Sequence, residues 1–156
     1  MKAISLWQPW AQLIALKEKK IETRSWPTKY RGPLAIQAAV FMPKPNTIGM
    51  CVETFNAIHK ALTSDVYPRG YNRDYLPRGA IVATCKLVAC VRVIGNIDDE
   101  QADLENGMTV KGNEYAFGDY SLGRYAWILE DIQALPEPIP AKGMQGLWEW
   151  KEGDLK

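Results

Sequence analysis

Histidine and cysteine are scarce in this chain: one histidine, His59, and three cysteines, Cys51, Cys85 and Cys90. His59 stands beside Lys60 with no cysteine or acid at ligand spacing. Mechanisms built on a histidine base find little support here, and no metal site is expected. The cysteines form no C-x-x-C pair, and any disulfide scheme leaves one over. They read as reduced thiols, buried as small hydrophobes, in a cytoplasmic protein. No apolar run approaches the roughly 18 residues of a membrane span. The N-terminus enters an alternating pattern (Ala3, Ile4, Leu6) rather than a leader. Gly112, Gly118 and Gly123 form no phosphate-binding fingerprint, and nothing calls for a cofactor.

What is present is an ordinary globular composition. The chain has 156 residues, 47% of them hydrophobic and 24% charged. That predicts one domain over residues 1–156 with a real core. A net charge of +1 gives no global basic field. The distribution is uneven, however. Residues 17–31 carry six cations (Lys17, Lys19, Lys20, Arg24, Lys29, Arg31) against two acids (Glu18, Glu22). Residues 98–105 carry five acids (Asp98, Asp99, Glu100, Asp103, Glu105) and no cation. A compact basic patch on a neutral protein suits one small site better than a duplex footprint. An acid of the second run, Glu100 for example, would be free to fold over that site.

The patterning predicts a strand over 2–6, then a helix opened by Pro9 with Trp10, Leu13 and Ile14 on one stripe. Strands follow over 21–25 and 34–40, the latter interrupted only by Gln37. A second helix is expected over 47–62, a polar loop over 64–79, and the longest strand over 80–94, ended by Gly95. Residues 96–123 read as irregular, 124–132 as a strand, Pro136, Pro138 and Pro140 as a rigid connector, and 147–150 as a final strand. About six strands in uneven order, with two helices inserted early, suggest an α+β fold built on a small closed or partly closed barrel.

The densest chemistry lies between Ser5 and Trp26: Ser5-Leu6-Trp7-Gln8-Pro9-Trp10, then Lys19-x-x-Glu22-x-Arg24-Ser25-Trp26. Flat aromatic faces with cations beside a carboxylate are what a nucleobase or nucleotide pocket needs. Glu22 and Arg24 lie two apart on a strand and so share a face, with Lys20, while Ile21 and Thr23 take the other. Such a pair is either a solvated ion pair or the lining of a cleft in which Arg24 offers its forked donors. Trp7 and Trp10 either stack on a ligand or belong to the core. Trp148 and Trp150 alternate about Glu149 and read as core. Tyr125, Trp127 and Leu129 do likewise, with Trp127 also placed to close one wall of a cleft.

These segments resemble the ASCH family, whose domains are related in fold to the RNA-binding PUA domain. The family motif GxKxxExR falls on residues 17–24, so Lys19, Glu22 and Arg24 match and Lys17 replaces the glycine. Glycine there would permit a positive φ. Also similar are Ser5–Ala11, Arg24–Trp26, Tyr30–Leu34, Gly118–Ser121 with Gly123–Trp127, and Lys142-Gly143 with Gln145–Trp148. The likeness is closest to stand-alone bacterial and phage members. It implies a PUA-like β-barrel of about six strands with two or more helices packed on it. It also implies a cleft for RNA, other single-stranded nucleic acid or a modified nucleoside, floored by the motif residues. Contacts are then expected from Ser5, Trp7, Gln8, Trp10, Trp26, Tyr30, Arg31, Gln37 and Trp127.

Some small bacterial members are amidohydrolases that deacetylate N4-acetylcytidine; they share the motif lysine and carry threonine where this chain has Glu22. Others resemble ribonucleases or plain nucleic-acid binders. The leading expectation is therefore a binding domain. The alternative is a hydrolase of RNA or modified cytidine with Lys19, Glu22 and Arg24 as its catalytic set. In that case Lys19 activates water or holds the amide, Glu22 shuttles a proton and Arg24 stabilises developing charge. A protein adaptor using the Tyr67–Tyr75 loop is a further possibility from a different class.

Overall fold

The computed structural model describes residues 1–64 and 68–152. Its elements run β1 (Lys2–Leu6), α1 (Trp10–Ala15), β2 (Ile21–Arg24), β3 (Gly32–Ala38), a 3-10 turn (Pro45–Ile48), α2 (Val52–Leu62), β4 (Ala80–Ile97), β5 (Gln101–Leu104), β6 (Thr109–Lys111), α3 (Gly112–Ala116), β7 (Tyr125–Pro140) and β8 (Leu147–Glu149). The predicted α+β, PUA-like architecture is what is found. Six strands are hydrogen-bonded in the order β2-β7-β4-β3-β1-β8, and the β5–β6 hairpin extends from β4. β1 and β3 are parallel, joined through α1 and β2; the other neighbours are antiparallel.

The sheet is open but strongly curled. β2 and β1 are four strand steps apart in that order. In a flat sheet that is about 19 Å. Yet Arg24 on β2 donates from Nη2 to the carbonyl of Ser5 on β1 at 2.8 Å. The curl comes from β4 and β7, whose pairing shifts register three times. Each bulge bends the strand and adds twist. The barrel interior is filled from β1, β3, β4, β7 and α1, by Ile4, Leu34, Ile36, Leu87, Trp127 and Leu129 among others. A second core lies between α1 and α2, where Leu13 meets Ile58 and Leu62.

Several boundaries differ from the sequence reading, each for a local reason. The second helix is broken in two because Gly49 takes φ +67 and caps the 3-10 turn, and Cys51 then caps α2. β4 runs through Gly95 to Ile97, because β5 pairs with residues 93–97. The stretch 96–123 is not irregular but holds β5, β6 and α3. Pro136, Pro138 and Pro140 belong to β7. Two residues apart, they drop their missing N–H groups on one edge of the strand, while Ile139 still pairs with Ile81. Of the thiols, Cys85 is buried and burial pushes it up to about 12, whereas Cys51 is exposed. Tyr67 of the proposed adaptor loop lies outside the described residues. Among the described residues, no helix is long and apolar enough to cross a membrane.

The end of α1 sets up everything that follows. Lys17 sits at φ +64, left-handed, at the position the motif gives to glycine. Its N–H donates to Ile14 O and that of Glu18 to Leu13 O, both at 2.9 Å. These are the two bonds of a Schellman turn, which reverses the chain and delivers Lys19 inward. A side chain at positive φ is strained. Lys17→Gly should therefore raise stability by about 1 kcal/mol in urea unfolding. Lys17→Ala, which keeps the Cβ, should give no such gain.

Candidate functional site

The curl brings β2 and the end of β1 to the two sides of a seam, and a cleft of about 610 Å³ opens there. Ser5, Trp7 and Trp10 line one side, Lys19, Glu22 and Arg24 the floor. Ile48, Met50, Cys51 and Thr54 enter from the end of the 3-10 turn through the first turn of α2, and Phe117, Gly118, Asp119 and Arg124 from the segment after α3.

Lys19 is the anchor. It is only 1% exposed. Its Nζ donates to the carbonyls of Ile21 (2.5 Å) and Phe117 (2.7 Å) and lies 3.6 Å from Glu22 Oε2. Three acceptors around one Nζ is the arrangement that makes a buried ammonium tolerable. The face of Trp10 lies 6.0 Å away. Glu22 also approaches Arg24 Nε, Oε1 at 3.4 Å. That contact is an ion pair rather than an aligned hydrogen bond, since Arg24 Nε has no hydrogen-bond partner among the described residues. The pairing of Glu22 and Arg24 on one strand face, as read from their spacing, is thus extended by Lys19 at one end and Ser5 O at the other. Lys20 is exposed and takes no part.

The side chains that hold this floor come from far along the chain. Glu114 of α3 accepts hydrogen bonds from the backbone N–H of Lys20 and Ile21 at 2.9–3.1 Å. No acid of the 98–105 run lines the cleft: Glu100 is exposed and lies outside its lining, and Glu114 acts on the backbone beneath the site rather than over it. Thr23 Oγ1 accepts from Asp119 N at 2.9 Å. Arg124 Nε donates to Asp119 O at 3.1 Å and lies 3.5 Å from its carboxylate. Gly118 is required by space: a Cβ there would stand 2.7 Å from the Tyr120 ring. Partial burial would push the Asp119 carboxyl up, but the Ser121 hydroxyl and N–H and the Arg124 charge outweigh it, and it titrates below its usual range. Glu114, Asp119 and Arg124 were not singled out from the sequence. For Asp119 and Arg124 the available signal was the family likeness over Gly118–Ser121 and Gly123–Trp127, which carries no chemistry by spacing alone; Glu114 lies outside it.

The other candidate residues are placed elsewhere. Trp127 is fully buried in the barrel core, with Trp26 edge-on at 4.8 Å. Tyr30 donates to Pro33 O at the start of β3, and Arg31 donates to Thr28 O and Tyr30 O in the segment just before it. Gln8 is buried, donating to Pro77 O and accepting from Gln12 N. Gln37 is buried beside Ser5 and donates to Ala141 O. Trp7 alone of the tryptophans stands well out, 46% exposed, its ring edge-on to the exposed Phe41 at 5.6 Å. Among the described residues no group of histidine, cysteine and acid side chains is placed to hold a metal ion.

Two expectations test this geometry. Lys19→Met removes the charge at similar volume and strands Glu22 and two carbonyls; it should cost about 3 kcal/mol in denaturant unfolding. Ser121→Ala should move the Asp119 titration midpoint up, measured by carboxylate NMR. The sign follows from a lowered folded value: the stabilisation is present above the unfolded value and lost as pH falls through the folded one.

The ASCH domain family model matches residues 4–135. The chain is 32% identical to activating signal cointegrator 1 of Mus musculus over 150 residues, 94% of this chain and 22% of that protein. It is 32% identical to the Homo sapiens protein of the same name over 89 residues, 56% of this chain and 14% of that protein. It therefore spans less than a quarter of the length of these relatives.

Proposed function

Because the chain belongs to the ASCH domain family, we propose that the seam cleft binds single-stranded RNA or a modified nucleoside, one base inserted and the backbone along the rim. The observation that carries this is the pairing of an exposed Trp7 face with Arg24 and Arg124 around one cleft. Trp7 is a stacking platform, and stacking tolerates any base. The charges then sort the ligand. Lys19, Arg24 and Arg124 face Glu22 and Asp119, so the floor is nearly neutral. A phosphate would meet Glu22 there, whereas the amino and carbonyl edges of a base find both acceptors and donors. Arg124, on the outer wall, is left for a phosphate or ribose oxygen.

A second reading, hydrolysis of RNA or of an acylated cytidine, has one observation in its favour: Lys19, Glu22 and Arg24 are contiguous and line the cleft. Lys19 then serves as a fixed charge, because its Nζ is already ringed by acceptors. Glu22 is the side chain left to handle a proton.

Tryptophan fluorescence should be quenched on titration with single-stranded RNA or nucleosides. Trp7→Ala should weaken binding about tenfold or more with little loss of stability. Absence of quenching across RNA, DNA and nucleoside panels would remove the binding reading. Mass spectrometry of short RNA mixed with acylated cytidine decides the second one. Products formed by wild type and not by Glu22→Gln would replace binding by hydrolysis; an unchanged mixture would eliminate it.

A further inference from the structure

The loop before β4 carries three arginines, Arg69, Arg73 and Arg78, against one acid, Asp74, within residues 68–79. A second cavity of about 520 Å³ lies there, lined by Tyr71, Asn72, Arg73, Asp74 and Arg78. Its lining is rich in donors. Tyr71 is only 9% exposed, and its hydroxyl has no hydrogen-bond partner among the described residues. Arg73 Nε is buried and equally without a partner among them, although Nη2 is held by Met42 O at 2.5 Å. Both atoms are closed off from solvent, so an acceptor would reach them only through a small movement of the side chains that line the cavity; buried donors are almost always satisfied in folded proteins, and an entering acceptor would relieve that cost. Burial raises the Tyr71 phenol above its usual range while Arg73 pulls the other way, so the hydroxyl keeps its proton and remains a donor. Asn72 spends its side-chain oxygen on Asp74 N, which leaves its amide N–H groups. Arg78 is exposed at the mouth, as is Asp74. A set of donors with two guanidinium groups selects a compact oxyanion with several acceptor oxygens.

The position says which one. The loop is fastened beside the cleft's exposed aromatic lip. Arg73 holds Met42, the residue after Phe41, whose ring meets Trp7. Pro77 O holds Gln8, the residue after Trp7. The loop that lines the cavity is thus fastened one residue from Trp7 and one from Phe41, the lip on which a base would stack. We infer that the Tyr71–Arg73–Arg78 cavity binds a backbone phosphate of the strand whose base occupies the seam cleft. The inference rests on the binding reading above.

The test compares a nucleoside, which has no phosphate, with a decanucleotide of single-stranded RNA on wild type, Arg78→Gln and Tyr71→Phe. Arg78 is exposed and Tyr71→Phe removes only a hydroxyl with no partner among the described residues, so both variants should fold. Both should bind the nucleoside like wild type. Arg78→Gln should weaken the decanucleotide about tenfold and flatten its log-affinity against log-salt slope by about 0.7. Tyr71→Phe should weaken it several-fold without lowering the stability of the free protein. Unchanged decanucleotide affinity and slope in both variants, with the nucleoside still bound, would overturn this site and leave the cleft reading standing. Wild type that binds neither ligand would overturn both. Inorganic phosphate, followed by 31P NMR, separates the sources. Phosphate bound by wild type and lost in Arg78→Gln, with the decanucleotide indifferent to the substitution, would assign the cavity to a free anion and overturn the strand phosphate.

Discussion

A single buried ammonium governs this site. Lys19 is out of water, and a desolvated charge is tolerated only while its acceptors stay in place. Those acceptors come from β2 (Ile21 O), from the segment after α3 (Phe117 O) and from Glu22. Moving any of them away would expose the cost of the charge, so the turn that carries Lys19, β2 and the segment after α3 are held as one body. From Glu22 the chain of contacts continues to Arg24 and from Arg24 to Ser5 O on β1. One continuous polar strap thus crosses the seam of the curled sheet, and the cleft floor is that strap. A floor fixed before a ligand arrives loses little further freedom on binding, which is the usual route to affinity in a small site.

The strap also explains why the local features around it tolerate strain. Lys17 keeps a left-handed backbone that suits glycine better, because the turn it closes is what points Lys19 inward. Glu114 gives both carboxylate oxygens to two backbone N–H groups at the start of β2. β2 pairs with β7 on one side and, among the described residues, has no strand on the other. An edge strand that must carry the site is thereby covered by an acid from another element.

Much of this was legible in the sequence, and the limits are physical. Period-two spacing placed Glu22 and Arg24 on one face and put Trp127, Trp148 and Trp150 in the core, because side-chain alternation is a property of the strand itself. Burial of Lys19 was not legible: nothing in a lysine's local sequence says that a carbonyl 98 residues away will accept from it. Only the family motif marked the position, without saying why. Strand ends were misplaced where bulges, a glycine or alternating prolines interrupt the pattern, since pairing partners rather than local composition decide those ends. Asp119 and Arg124 failed to stand out for the same reason as Lys19, their role being made by folding onto Thr23 and not by spacing.

The charge pattern, invisible in a net of +1, acquires direction once folded. The acidic run 98–105 forms the turn and strand β5, tied to β4 through Glu105 N–Arg92 O, on the side of the cleft where Arg124 O bonds Val93. The arginine-rich loop is tied to Gln8 and Met42 on the opposite, Trp7 side. Screening at physiological salt leaves such charges felt over about 8 Å. On the binding reading, a polyanion with one base in the cleft would meet acids on the hairpin side and arginines on the loop side. The near-neutral total is then no argument against such a ligand: the charges that cancel in the sum are carried by different segments of the fold.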